Sequence, residues 1–330
     1  MNGRASVADT VPDEQFGHAN LTHSDVAENG EPKEYPAHSW RVSVRQAAAL
    51  ALVIGASGQV GRAVLRALDP SAVGTYRARP EPALRQLDAR DLSALRGLLD
   101  ELRPRTVFFP AAEPQVDWCE THPDEARAAN VELALQALAA AQERGARFVF
   151  FSTDYVFDGL AGPYAEGDAV APLSVYGRHK LEVEEHVLEA GGTVVRTTTV
   201  YGEEQPPGKN FVLRLVASLR AGRRATVPRD QWSTPTWSDE LGRAAVSVAE
   251  RPGLWHVAGP DLLSRDEFAR LIADVFELDP ALIEPVSTAQ LAQPAARPMR
   301  AGLRTDKLRG ATGMSFRSTR EALESLRTRL

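Results

Sequence analysis

Tyr176 and Lys180 stand four residues apart in the stretch PLSVYGRHKLEVEEH, Pro172 to His186. On a helix that spacing puts both side chains on one face. A free phenol titrates near about 10, so exchange of its proton at neutral pH needs help from nearby charge. The Lys180 ammonium can lower the phenol's pKa, together with a positively charged nicotinamide, and can also hold the nicotinamide ribose. Upstream, FVFFSTDYVFDG ends a run of strand formers in Ser152, Thr153 and Asp154. At the carboxyl edge of a parallel sheet, where α/β sites form, a Thr153 hydroxyl can bind the carbonyl oxygen that Tyr176 protonates. Taken alone, a tyrosine and a lysine at this spacing fit a solvated helix face equally well.

A hydride donor is the missing partner, and VIGASGQVGRAVLRAL supplies a place for one. Gly55, Gly58 and Gly61 follow an apolar run and open a helical one, with Ser57, Gln59 and Val60 between them. Such a turn lets the backbone approach a pyrophosphate, and the helix N-terminus turns its N–H groups toward the phosphates. A strand-to-helix turn without a ligand is the plain alternative. The next strand, AVGTYRARP, ends in Arg77 and Arg79 instead of the acid that would hold a ribose 2′-hydroxyl. Guanidinium groups there suit a 2′-phosphate, which favours NADPH and leaves NADH open. Asp88, in QLDARD, is a candidate for the adenine side.

The elements that must position these residues are legible as alternation. Strand candidates lie at 51–55, 72–76, 106–110, 147–153 and 193–198, with helical periods between them. Asp91 caps one helix, and Pro123 opens another that ends near Gly145. After Tyr201 come a helix over roughly 209–221, a loop at 227–237, a helix from Ser238 and a strand at 253–259. Ser264 with Glu267, and Ser318 with Glu321, form capping boxes. The pattern predicts an α/β fold: a Rossmann-type doubly wound parallel sheet with a smaller, helix-rich C-terminal substrate lobe. The expected divisions are a disordered or loosely attached extension at 1–47, an NADP(H)-binding Rossmann domain at 48–200, and a mainly substrate-binding lobe at 201–330 that partly interleaves with it.

Of the formal net charge of −6, −5 lies in residues 1–40, where seven acids face Arg4 and Lys33. A near-neutral remainder argues against nucleic acid and against a membrane surface, and points to a small-molecule substrate. Cys119 is the single cysteine, so an intrachain disulfide is excluded and a reducing, cytoplasmic setting is expected. The seven histidines lack metal-ligand spacing, and no metal is assigned.

Several of these stretches together resemble the extended short-chain dehydrogenase/reductase superfamily and, within it, the dTDP-4-dehydrorhamnose reductase family. GASGQVGRA is similar to its cofactor turn, AAEPQVDWCE to its loop after the fourth strand, and STDYVFDG to its signature. PLSVYGRHKLEVE matches its Tyr-x-x-x-Lys helix; DQWSTPT, ARP and LRTDKL resemble later elements. The resemblance implies Thr153, Tyr176 and Lys180 as catalytic residues, with Tyr176 as general acid in reduction of a ketone. It carries Ala89 to the adenine side and Ala111, Ala112, Glu113 and Pro114 to the cofactor loop. Thr153, Asp154, Thr199, Gln231 and Arg297 fall at substrate-contacting places, with Thr199 standing where the family usually has tryptophan. The implied substrate is a 4-keto group on a nucleotide-linked deoxysugar or a related metabolite, and a homodimer is left open. The same motifs are similar to the methionine adenosyltransferase beta regulatory subunit, so a non-catalytic NADP-binding role remains an alternative, as does a nucleotide-sugar epimerase or dehydratase.

Overall fold

The computed structural model describes residues 51–330 apart from Asp69, Ser71, Arg79 and 205–209. The extension expected over 1–47, and Arg79, lie outside the described residues. Seven parallel strands form the central sheet: β1 (Ala51–Val53), β2 (Val73–Tyr76), β3 (Arg85–Gln86), β4 (Thr106–Phe109), β5 (Arg147–Thr153), β6 (Thr193–Thr197) and β7 (Gly253–His256). Their order is β7-β6-β5-β4-β1-β2-β3, so the chain reverses its direction of travel between β1 and β4. In such sheets the crevice beyond the carboxyl ends at that reversal is where ligands bind.

The expected doubly wound parallel sheet is present. Two of its strands have separate histories in the sequence. Arg85 and Gln86 are polar and exposed, so β3 carries no hydrophobic signal. The run at 253–259 reads as a strand of the later lobe, yet β7 pairs with β6 and closes the edge of the main sheet.

Pleating decides which helices each strand meets, because successive side chains point to opposite faces. Phe148 and Phe150 of β5 join Leu95, Leu99, Leu138, Val183 and Val187 on one face. Those residues come from helices α2 (Leu92–Leu102), α3 (Leu133–Gln142) and α4 (Val175–Glu189), which follow α1 (Gln59–Ala67) in the chain. Val149 and Phe151 face the other way, onto Val64 of α1 and onto Leu241 and Ala244. The last two belong to Ser238–Val248, which is α6 after α5 (Phe211–Arg220). A helix beyond residue 201 thus covers one face of the nucleotide-type sheet. A third cluster, around Val212, Val216, Phe268, Ile272 and Leu323, is built by α5, α7 (Arg265–Val275) and α8 (Thr319–Arg327).

The caps foreseen at Asp91, Ser264 and Ser318 all form. The helix expected from Pro123 to near Gly145 is instead interrupted by a π-turn at Ala128–Glu132. Such turns recur at functional sites. One buried ion pair ties α4 to the sheet: Arg196 of β6 reaches Glu184 at 2.6 Å, with both side chains almost wholly buried. Removing one partner of a buried pair leaves the other charge uncompensated. Arg196→Leu is therefore expected to cost about 3–5 kcal/mol in urea unfolding. A loss under about 1 kcal/mol, the range of an exposed pair, would show that this contact does not hold α4 down.

Candidate active site

The turn after β1 sits at the sheet's reversal point. Gly55 has a φ of +91°, and a Cβ there would meet Ala111 at 3.0 Å, which explains the glycine by both backbone and space. Gly61 lies so close to the Gly55 carbonyl that a Cβ would approach it to 2.4 Å. Gly58 differs: its φ is −81°, and beyond the Gly55 carbonyl at 3.5 Å its open side meets nothing. It is also the N-cap of α1 and offers no side-chain cap, so the first N–H groups of the helix remain for another acceptor. The buried Gln59 amide nitrogen has no partner among the described residues. Ser57 and Val60 flank this open rim, both half-buried. Open space, uncapped donors and an orphaned amide fit the phosphates of a dinucleotide.

Of the residues expected toward the adenine, the structure brings Arg77 within electrostatic reach of Asp88. Arg77 is exposed and Ala89 is buried. Asp88 is held by both Nε and Nη2 of Arg90, and that guanidinium lowers its carboxyl to about 2. Ala111, half-buried, packs on Gly55, while Ala112 is exposed. The backbone of Glu113 is clamped by Asn130, whose Oδ1 accepts from Glu113 N at 2.7 Å and whose Nδ2 donates to Glu113 O at 3.1 Å. Asn130 lies in the π-turn and is buried. Sequence reasoning missed it; the only available signal was an amide inside an otherwise apolar helical run.

Tyr176 and Lys180 lie in α4, which Ser174 caps by accepting from Gly177 N. Glu120, from a preceding short helix, also accepts from Val175 N at 2.8 Å. Gly177 lets the helix close on the chain after β5: a Cβ would meet the Tyr155 carbonyl at 2.3 Å. Lys180 is buried, and its Nζ donates to the Phe151 carbonyl at 2.9 Å. The same nitrogen lies 5.9 Å from the centre of the Tyr176 ring, and Tyr155 meets that ring edge-on at 6.0 Å. Thr153 is tied in through its hydroxyl, which accepts from Tyr155 N and donates to Asp154, each at 3.2 Å. The structure thus gathers all three predicted catalytic residues at the carboxyl end of β5.

The electrostatics differ from the expectation in one respect. Burial pushes the Tyr176 phenol above its usual range, reinforced by Cys119, Tyr155, Asp154 and Glu113. Burial also brings Lys180 down to about 8, against the opposing pull of Glu184. Without a cationic nicotinamide beside it, the phenol is therefore made harder to ionise, not acidified. Burial and Glu113 raise the Cys119 thiol to about 11, which leaves it a protonated side chain and no nucleophile.

Of the candidate substrate residues, Asp154, Thr199 and Gln231 line one cleft, whereas Thr153 and Arg297 are not part of its lining. Asp154, Tyr155, Thr199, Gln231, Trp232 and Arg265 face it. Thr199 has a φ of +41°, a strained conformation for a β-branched residue, and donates to the Ser233 hydroxyl at 3.0 Å. Buried Asp154 accepts from Thr198 at 2.5 Å, and burial raises its carboxyl. Gln231 donates to Thr288 at 3.0 Å, which anchors its loop. Arg297 is taken by Asp117, through Nη1 at 2.9 Å and Nη2 at 2.6 Å. Among the described residues, no cluster of His, Cys, Asp and Glu could hold a metal ion, and no helix is long and apolar enough to cross a membrane.

Comparison with known proteins places this geometry. The family model described as RmlD substrate binding domain matches residues 50–330. The Methionine adenosyltransferase 2 subunit beta of Danio rerio is 31% identical over 281 residues, 81% of this chain and 86% of that protein. The Probable low-salt glycan biosynthesis reductase Agl14 of Haloferax volcanii is 33% identical over 290 residues, 84% of this chain and 96% of that one. A crystal structure of dTDP-4-dehydrorhamnose reductase from Bacillus anthracis in complex with NADP superposes with a TM-score of 0.77 at 28% identity, covering 85% of this chain and 99% of that one. The glycine turn and the Tyr-x-x-x-Lys helix thus sit in a chain that belongs, over nearly all its described length, to the RmlD substrate-binding-domain family of the short-chain dehydrogenase/reductase type.

Proposed function

We propose that this chain reduces the 4-keto group of a nucleotide-linked deoxysugar with NADPH. It is an NAD(P)-dependent oxidoreductase of the short-chain dehydrogenase/reductase type. The reading of its substrate is supported by the likeness to the Bacillus anthracis dTDP-4-dehydrorhamnose reductase in complex with NADP. The single observation that carries it is the buried Lys180 ammonium, fixed on the Phe151 carbonyl beneath the Tyr176 ring.

The cofactor would be held at Gly58, Gln59 and the first turn of α1, with Arg77 toward the 2′-phosphate, and when bound it supplies a hydride to the ketone carbon. The chain's own residues manage the oxygen. Thr153 would turn its single O–H, which Asp154 accepts in this structure, onto that oxygen and orient it. Tyr176, a phenol that carries its proton at neutral pH, delivers that proton to the oxygen as general acid. Lys180 uses one N–H on Phe151 and keeps its charge toward the phenol, where it stabilises the phenolate left behind. Trp232, in the cleft, offers an aromatic surface near the place where Thr199 lacks one.

The test is NADPH oxidation by the purified protein over dTDP-, UDP- and GDP-linked 4-keto sugars. Tyr176→Phe is expected to lower kcat at least about a hundredfold while NADPH still binds, the range of a lost general acid. Unchanged turnover in that variant would exclude the proton role. Tight NADPH binding with no turnover on any sugar would favour the regulatory reading raised by the Danio rerio relative. Conversion of a sugar without net NADPH loss would favour an epimerase or dehydratase.

The pH profile has a defined sign. Lys180 is charged below its pKa of about 8 and neutral above it, so kcat/KM is expected to fall as the pH rises through that value. Lys180→Met should abolish this limb along with most activity; a flat profile from pH 7 to about 9 in the wild type, about 1 unit either side of the titration, would contradict the role.

A further inference from the structure

Arg265 is the first residue of α7, half-buried at the edge of the cleft. Its backbone N–H donates to the Gln231 carbonyl at 2.8 Å, which fixes the start of the helix beside the substrate loop. The guanidinium lies on the face of Phe211, 4.8 Å from the ring centre. Among the described residues it meets no carboxylate within ion-pair distance and no hydrogen-bond acceptor. This is unlike Arg62, Arg127, Arg144, Arg196 and Arg297, each of which is paired with an acid.

The charges around it do not neutralise it. Asp154 is the acid that faces it, and both carboxylate oxygens there are already engaged, by the Thr153 and Thr198 hydroxyls. Arg297 brings like charge, cancelled by Asp117. Arg214 of α5 brings more like charge, with no acid of its own among the described residues. A half-buried guanidinium without a partner is less well solvated than a free one, and an anion on its fork would offset that loss with charge-assisted hydrogen bonds. Stacking on Phe211 occupies the flat face and leaves the N–H edges of the fork for that anion.

We propose that Arg265 grips the diphosphate of the substrate, taking two phosphate oxygens on its fork, with Arg214 adding longer-range attraction. The planar fork matches paired phosphate oxygens, and a second uncompensated cation suits a group carrying more than one negative charge. The assignment rests on the nucleotide-sugar reading, yet it can be tested without turnover. It was hidden in the sequence because Arg265 directly follows the Ser264 cap and looks like a surface position of a helix's first turn.

Calorimetry on the NADPH-loaded protein with dTDP, UDP, GDP and inorganic pyrophosphate reads the site directly. The wild type is expected to bind at least one nucleoside diphosphate, and pyrophosphate more weakly. Arg265→Met should weaken that binding about ten- to a hundredfold, the worth of hydrogen bonds to a charged group, with NADPH affinity unchanged. Arg265→Lys, which keeps the charge and the stem but loses the fork, should fall between them, and carries the test if the Met variant does not fold. Equal affinity in wild type and Arg265→Met overturns the proposal, as does wild type that binds none of the four. So does wild type that takes malonate at Arg265 in preference to pyrophosphate, since the anion would then be a carboxylate. The two readings fail separately. Diphosphate binding lost in Arg265→Met without reduction of any sugar leaves this inference standing and removes the reductase substrate. Reduction of a 4-keto sugar with KM unmoved in Arg265→Met does the reverse.

Discussion

The hydrogen bond from Lys180 Nζ to the Phe151 carbonyl is the contact on which the rest of the site depends. It joins α4 to the Phe151 carbonyl near the end of β5, two residues before Thr153. Buried ammonium groups are costly unless satisfied, so this bond both positions the charge and makes its burial tolerable. Gly177 lets the helix come close enough for the bond to form, and Ser174 with Glu120 ends the helix at the right height. The Tyr176 ring, one turn before Lys180, is then set over the carboxyl edge of the sheet. The Arg196–Glu184 pair, four residues farther along the same helix, holds its other end against β6.

Around that contact, the protein balances buried charge by unlike means. Arg196 and Glu184 neutralise each other. Asp154 is kept by two hydroxyls and is pushed toward its neutral form by burial. Lys180 is kept by a carbonyl and brought down toward the physiological range. Tyr176 moves the other way, so the acid and its cationic neighbour are driven apart in pKa by a common cause, withdrawal from water. Perturbed groups of this kind concentrate where chemistry is done, although ion-pair networks perturb them too. Here the perturbed groups are contiguous with the cofactor turn through Ala111 and the loop that Asn130 clamps.

Several parts were legible before any coordinates. Five strands of the main sheet, β1, β2, β4, β5 and β6, were visible as apolar runs, because strands buried on both faces need apolar residues at successive positions. The capping boxes were visible because their chemistry is local, two side chains three residues apart serving one helix end. Others were not legible. β3 is two exposed polar residues whose only reason to be extended is the neighbour they pair with. The π-turn has no sequence signature apart from Asn130, whose task is to clamp residue 113 in another loop. Arg297 looked available for a substrate, and only the fold shows that Asp117 claims it.

By itself, the sequence determined the local and periodic facts: a glycine turn between a strand and a helix, a tyrosine and a lysine on one helical face, and a parallel sheet. These follow from spacing and backbone stereochemistry, which act over a few residues. Only the tertiary structure decided which charges remain without a partner, as at Arg265, and which way the Tyr176 phenol is pushed. Both depend on what is absent around a group, water in one case and an acid in the other. That is a property of residues distant in the chain and brought together by packing.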